Sequence, residues 1–135
     1  MKAAIVYATT TGNTEKLAGA ALEGAKAAGY EATIATADIA DSAETLSADL
    51  ILLGSPAMGA EQLEDSMESF FSEIESSLSG KKVGLFGSYD WGGGQWISDW
   101  EERVKNAGAV FAGSVKAQLS PDEEALEAVK KLAGA

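Results

Sequence analysis

Three short stretches of this 135-residue chain carry side chains suited to binding. The first, Thr9-Thr10-Thr11-Gly12-Asn13-Thr14, puts four hydroxyls, an amide and a glycine into six residues. It follows the apolar run Ala3-Ala4-Ile5-Val6-Tyr7-Ala8 and precedes a helical run from Glu15. A strand thus delivers a hydroxyl-rich turn to a helix N-terminus. The first amides of a helix have no partner inside it, and the helix dipole there favours negative charge. The expected occupant is a phosphate group. No basic side chain lies inside the stretch, Lys16 being the nearest, so a phosphate held there keeps most of its charge. Helix capping alone asks for one such side chain, not four. No Gly-Lys-Ser/Thr follows, so this is not a Walker loop, and the chain contains no Gly-x-Gly-x-x-Gly.

The second stretch is Gly54-Ser55-Pro56-Ala57-Met58-Gly59-Ala60-Glu61. Met58 is a large apolar residue at a loop tip, where a flat apolar ligand can cover it. Gly59 tolerates positive φ, so its neighbouring peptide can turn over at low cost. The third is Gly87-Ser88-Tyr89-Asp90-Trp91-Gly92-Gly93-Gly94. Trp91 stands among glycines that cannot bury it and reads as a stacking platform for an aromatic ring. Trp96 and Trp100, on the following helical pattern, read as packing residues. A phosphate at the first loop and a ring between Met58 and Trp91 describe a mononucleotide. No residue is placed as a catalyst, and the ring itself would carry the chemistry.

Composition narrows the classes. The chain has no cysteine and no histidine, which removes thiol redox chemistry, cysteine or histidine catalysis, iron–sulfur ligation and ordinary zinc sites. No metal site is expected. The net charge of −11, from 10 Lys+Arg against 21 Asp+Glu, makes nucleic acid and anionic membranes poor partners and basic protein surfaces good ones. No segment approaches the ~20 apolar residues of a membrane span, and a cytoplasmic, monomeric protein is expected.

The elements that must position the three loops follow from periodicity. Apolar runs of strand length recur at Lys2–Ala8, Glu31–Thr36, Asp49–Gly54, Lys82–Ser88 and Ala109–Ala117. Between them lie helical patterns. Leu63, Met67, Phe70, Phe71, Ile74 and Leu78 share one helical face; Ile97, Trp100, Val104 and Ala107 share another; Leu126, Val129 and Leu132 a third. The connection from Asp38 to Ala48 has room only for a short helix. Gly29, Gly80 and Gly108 are expected to close helices, and Ser120-Pro121-Asp122-Glu123 to open the last one with a serine cap. Strand–helix alternation with continuous apolar strands predicts an α/β fold. It is a doubly wound five-stranded parallel sheet in order 2-1-3-4-5, with helices on both faces, forming a single domain over residues 1–135. In that order the ligand lies beyond the carboxyl ends of strands one and three.

With these motifs in place, the chain resembles the short-chain, clostridial-type flavodoxins along its whole length. The resemblance rests on Thr-x-Thr-Gly-Asn-Thr after the first strand, Ala-Met-Gly followed by an acid, and Gly-Ser-Tyr-x-Trp-Gly after the fourth. It implies that Thr9, Thr10, Thr11, Gly12, Asn13 and Thr14 bind the phosphate of FMN. Met58 and Trp91 would flank the ring, Ser55 and Ser88 would touch the ribityl chain or ring edge, and Glu61 would accept from the ring imide. Pro56, Ala57, Gly59, Tyr89, Asp90 and Gly94 complete the two ring loops. Close relatives often carry aspartate at position 60, where this chain has alanine, and glycine at position 90, where it has aspartate.

The implied function is a low-potential one-electron carrier, not an enzyme, which cycles non-covalently bound FMN between semiquinone and hydroquinone. Its partners would be ferredoxin- or flavodoxin-type reductases and low-potential oxidoreductases with basic docking patches. Gly59 would turn its carbonyl to the ring nitrogen that gains a proton. Glu61, Glu64, Asp65, Glu68 and Asp90 would surround the ring and push the second potential down. The alternative is an FMN-dependent oxidoreductase acting on a small substrate such as a quinone, which needs room beside the ring. A receiver domain shares the strand order but needs a phosphoacceptor aspartate where this chain has Gly54-Ser55.

Overall fold

The computed structural model describes residues 1–8, 12–58, 62–89, 94–118 and 121–134. Along the chain run β1 (Lys2–Tyr7), α1 (Asn13–Ala27), β2 (Glu31–Thr36), α2 (Ser42–Leu46) and β3 (Leu50–Gly54). There follow β4 (Ala57–Met58), β5 (Gln62–Leu63), α3 (Asp65–Ile74), β6 (Lys82–Tyr89), α4 (Gln95–Asn106), β7 (Val110–Gln118) and α5 (Glu123–Ala133). The main sheet is ordered β2-β1-β3-β6-β7 with every pair parallel. Counting only its five members, this is the 2-1-3-4-5 order expected from the alternation. The connection after β2 holds a five-residue helix, as its length allowed.

The central strands read as apolar runs because both their faces are covered. All five residues of β3 are buried. Ala4, Val6, Ile51, Leu53, Val83 and Leu85 face one layer, where α3 contributes Met67, Phe70, Phe71 and Ile74, and α4 contributes Trp96, Ile97, Trp100 and Val104. Ala3, Ile5, Leu50, Leu52 and Phe86 face the other, covered by α1 and α5. Trp100 meets Phe71 edge-on, ring centroids 5.9 Å apart. The alanines of α1 allow close approach, and Gly24 is closest of all. A Cβ there would lie 2.5 Å from the backbone carbonyl oxygen of Lys130 on α5.

Two local expectations change. Leu63 belongs to a short antiparallel ribbon, β4–β5, and not to the α3 face, because the chain pairs Ala57 with Leu63 and Met58 with Gln62 before the helix begins. The last helix is capped by Asp122, whose carboxylate accepts from the Ala125 amide at 2.9 Å, so it starts at Glu123, beyond the expected serine cap. Ser120 itself lies outside the described residues. One feature was invisible in the periodicity. Between Val83/Gly84 and their partners Phe111 and Gly113, β7 carries one extra residue. A one-residue slip moves every later side chain to the opposite face. After the bulge, Val115 and Ala117 join the α1/α5 layer, and Ser114 and Lys116 lie on the α4 side, where the Ser114 hydroxyl donates to Glu101.

Candidate functional site

In a parallel sheet wound this way, every helix starts at the carboxyl edge of the strands. The five starts divide into two kinds. Helices α2, α3 and α5 begin at Asp41, Glu64 and Asp122, whose carboxylates accept from the amides of Glu44, Ser66 and Ala125. Helices α1 and α4 begin at glycines in the left-handed region, Gly12 (φ 90°) and Gly94 (φ 83°), with no side-chain cap. A carboxylate cap satisfies a helix end but repels an anion. The two glycine starts follow β1 and β6 and place no carboxylate at the cap position. Among the described residues nothing lies within 4 Å of a Cβ built on Gly12, so open space faces that turn.

Thr14 is buried in the first turn of α1, and its hydroxyl lies 2.7 Å from that of Ser88, also buried, at the end of β6. The pair has two protons and uses one between its oxygens. The other is available to an acceptor. This hydrogen bond ties the first loop to the third across β3. Asn13 stands beside Thr14 at the helix start. Thr9, Thr10 and Thr11 lie outside the described residues.

The second loop is held at its base by one side chain. Ser55 is fully buried; its hydroxyl donates to the Pro56 carbonyl at 2.9 Å and accepts from the Glu64 amide at 3.1 Å. The hydroxyl expected to reach a ligand thus closes its own loop, onto Pro56 and Glu64. Its carbonyl accepts from the Trp96 indole at 3.3 Å. A Cβ on Gly87 would collide with that same carbonyl and with the Trp96 ring, so a glycine is required for the second and third loops to touch. Pro56 is buried and Ala57 half-buried, while Met58 at the tip is 40% exposed. Gly59 and Glu61 lie outside the described residues. At the third loop, Tyr89 packs its ring on Trp96, centroids 5.5 Å apart. Gly94 ends the loop; Asp90 and Trp91 lie outside the described residues. Trp96 and Trp100 are buried packing residues, as read from the helix pattern.

The acids expected to ring the site are not equivalent. The Glu68 carboxylate takes a forked pair of bonds from the Arg103 guanidinium, at 2.7 and 2.9 Å. Arg103 also reaches Glu75 at 3.1 and 3.2 Å and lies over the Phe71 ring. The guanidinium holds the Glu68 carboxyl below its usual range, and the two glutamates push the Arg103 pKa up. Glu68 is therefore committed to an ion pair in which it shares Arg103 with Glu75. Glu64 is committed to its cap, accepting from both the amide and the hydroxyl of Ser66. Asp65 is exposed in the first turn of α3.

One cation missed in the sequence comes to this edge. Lys116 on β7 pairs in register with Gly87, and its side chain runs over Gly94. A Cβ on Gly94 would stand 2.7 Å from the Lys116 ammonium nitrogen and 2.9 Å from its Cδ.

Comparison with known proteins agrees with this geometry. The family model described as flavodoxin matches residues 5–131. The chain is 44% identical to the flavodoxin of Megasphaera elsdenii over 119 residues, covering 87% of each chain. It is 42% identical to that of Clostridium beijerinckii over 134 residues, covering 96% of this chain and 97% of that one. The solution structure of two-electron reduced Megasphaera elsdenii flavodoxin superposes with a TM-score of 0.90 at 40% identity and 98% coverage of both chains. Among the described residues no helix is long and apolar enough to cross a membrane, and no cluster of acids, histidines or cysteines suits a metal ion. The chain belongs to the flavodoxin family and is an FMN-binding electron-transfer protein.

Proposed function

We propose that the FMN phosphate sits at the start of α1, held by Thr9, Thr10, Thr11, Gly12, Asn13 and Thr14, with the ring between Met58 and Trp91. The observation that carries this is the Thr14–Ser88 hydroxyl pair at a helix start without a carboxylate cap. Its donor set is neutral hydroxyls and amides, and it suits a phosphate monoester. Bound FMN supplies one-electron chemistry. The residues of this chain do the rest. The α1 start orients the phosphate, and Ser55 fixes the base of the loop that carries Met58 and Gly59. Glu61 accepts at the ring edge, and Ser88, Tyr89, Asp90 and Gly94 shape the opposite wall. Pro56 and Ala57 set the direction in which Met58 points.

The protein acts as a low-potential carrier, as a single domain and a monomer, in the cytoplasm. The net charge of −11 suits partners with basic docking surfaces, such as ferredoxin- or flavodoxin-type reductases and low-potential oxidoreductases. Absorbance and flavin fluorescence of the purified protein test the site. Apoprotein should quench FMN stoichiometrically and bind riboflavin far more weakly. Equal affinity for the two would refute the phosphate seat.

A further inference from the structure

Two tryptophans stand one turn apart on α4, and they differ in one respect. Both are buried, Trp96 at 2% and Trp100 at 1% exposure. The Trp100 indole N–H has no hydrogen-bond partner among the described residues, and its ring packs edge-on against Phe71. The Trp96 indole N–H donates to the Ser55 carbonyl at 3.3 Å. Ser55 is the first residue after β3, where the second loop sets out. The same Trp96 ring packs on Tyr89, and a Cβ on Gly87 would stand 2.8 Å from its Cζ2. Gly87 and Tyr89 lie at the end of β6 and lead into the third loop. One flat group thus touches the bases of both loops, at the carboxyl ends of neighbouring strands.

The strand pleat separates this contact from the phosphate end. Successive side chains of a strand point to opposite faces. Gly87 and Tyr89 meet Trp96, whereas Ser88 between them meets Thr14 on α1.

We propose that Trp96 is a positioning residue for the flavin ring, its indole fixing the spacing between the Met58 loop and the Trp91 loop. This rests on the reading that the ring lies between those two residues. A phenyl ring at position 96 would keep an aromatic contact with Tyr89 but could not donate to Ser55, whose carbonyl would lose this donor in a buried site. The second loop would then no longer be tied to α4, and the flavin would have to order its own walls at a cost in affinity.

The experiment compares wild type, Trp96→Phe and Trp100→Phe as apoproteins titrated with FMN and with riboflavin. The two variants make the same change on the same helix, and only the first removes a hydrogen bond. In Trp96→Phe both affinities should fall by one common factor, about three- to tenfold, and the visible circular dichroism of the bound flavin should change. In Trp100→Phe both affinities and the spectrum should stay those of the wild type. A further measurement needs no variant: FMN binding to wild type should slow solvent exchange of the Trp96 indole proton, because the ring holds the two loops closed. Equal losses in the two variants, a loss for FMN alone, or Trp96 exchange unaltered by FMN would overturn the proposal and leave Trp96 as core packing. FMN that binds wild type without losing its fluorescence would instead defeat the reading on which it rests, since a flavin stacked on an indole is quenched.

Discussion

The hydroxyl of Thr14, in the first turn of α1, lies 2.7 Å from that of Ser88, at the end of β6, 74 residues further along the chain. Both side chains are buried. Their hydrogen bond ties together the two loops assigned to opposite ends of the cofactor.

Thr14→Val keeps the shape and removes the hydroxyl. A hydrogen bond to a charged group contributes about 1.5–3 kcal/mol, so FMN affinity should fall on the order of ten- to a hundredfold. Riboflavin, which lacks the phosphate, should bind the variant and the wild type alike. Parallel losses for both ligands would place Thr14 elsewhere in the binding energy.

Gly12 offers a charge test at constant geometry. Asn and Asp are near-isosteric, and both tolerate the left-handed backbone observed there better than other side chains. Gly12→Asp should bind FMN at least about tenfold more weakly than Gly12→Asn, because a carboxylate close to a phosphate costs several times RT at intermediate dielectric. Isothermal titration at low and high salt reads the difference, which should shrink as salt rises.

The Glu68–Arg103 pair predicts a pH dependence of stability. The Glu68 carboxyl has its pKa lowered in the folded state, first by the hydrogen bond from Arg103. Its contribution is therefore present above the unfolded-state value and is lost as pH falls through the folded one. Urea midpoints of the wild type should drop below about pH 5 more steeply than those of Glu68→Gln. The side chain is 47% exposed, so the gap between the two curves should be modest and should narrow in salt. Curves of the same slope would mean that the pair adds nothing.

Gly24→Ala should destabilise the fold with little effect on FMN. The new methyl group would press on the Lys130 backbone, which cannot swing away as a side chain can. Overpacking of this kind typically costs about 1–3 kcal/mol. Chemical denaturation of the apoprotein measures it, and FMN affinity, read at the distant carboxyl edge, should be unchanged.

The sheet was legible because its strands are apolar on both faces, a pattern that needs no partner to be recognised. The three loops stand out in the sequence for a different reason: each concentrates residue types that a plain turn does not require. What escaped was set by contacts distant in sequence. Arg103 closes on Glu68 from 35 residues away, and no periodicity in either helix announces it. Lys116 was hidden by a single extra residue in β7, which reverses inside and outside without changing the look of the strand. Ser55 was read correctly as a loop residue, but its hydroxyl closes the loop on Glu64, a role that depends on where the ribbon β4–β5 returns.

The contact between Gly24 and Lys130 joins the first described helix to the last. On that side of the sheet, Ala3, Ile5, Leu50 and Leu52 share their cover between α1 and α5. During synthesis α1 emerges early and must wait, half covered, for nearly the whole remaining chain. The layer is finished only when Val129 and Leu132 arrive. The protein is thus committed to folding late on the ribosome, and a nascent chain stalled before α5 would display an oily face of the kind that chaperones recognise.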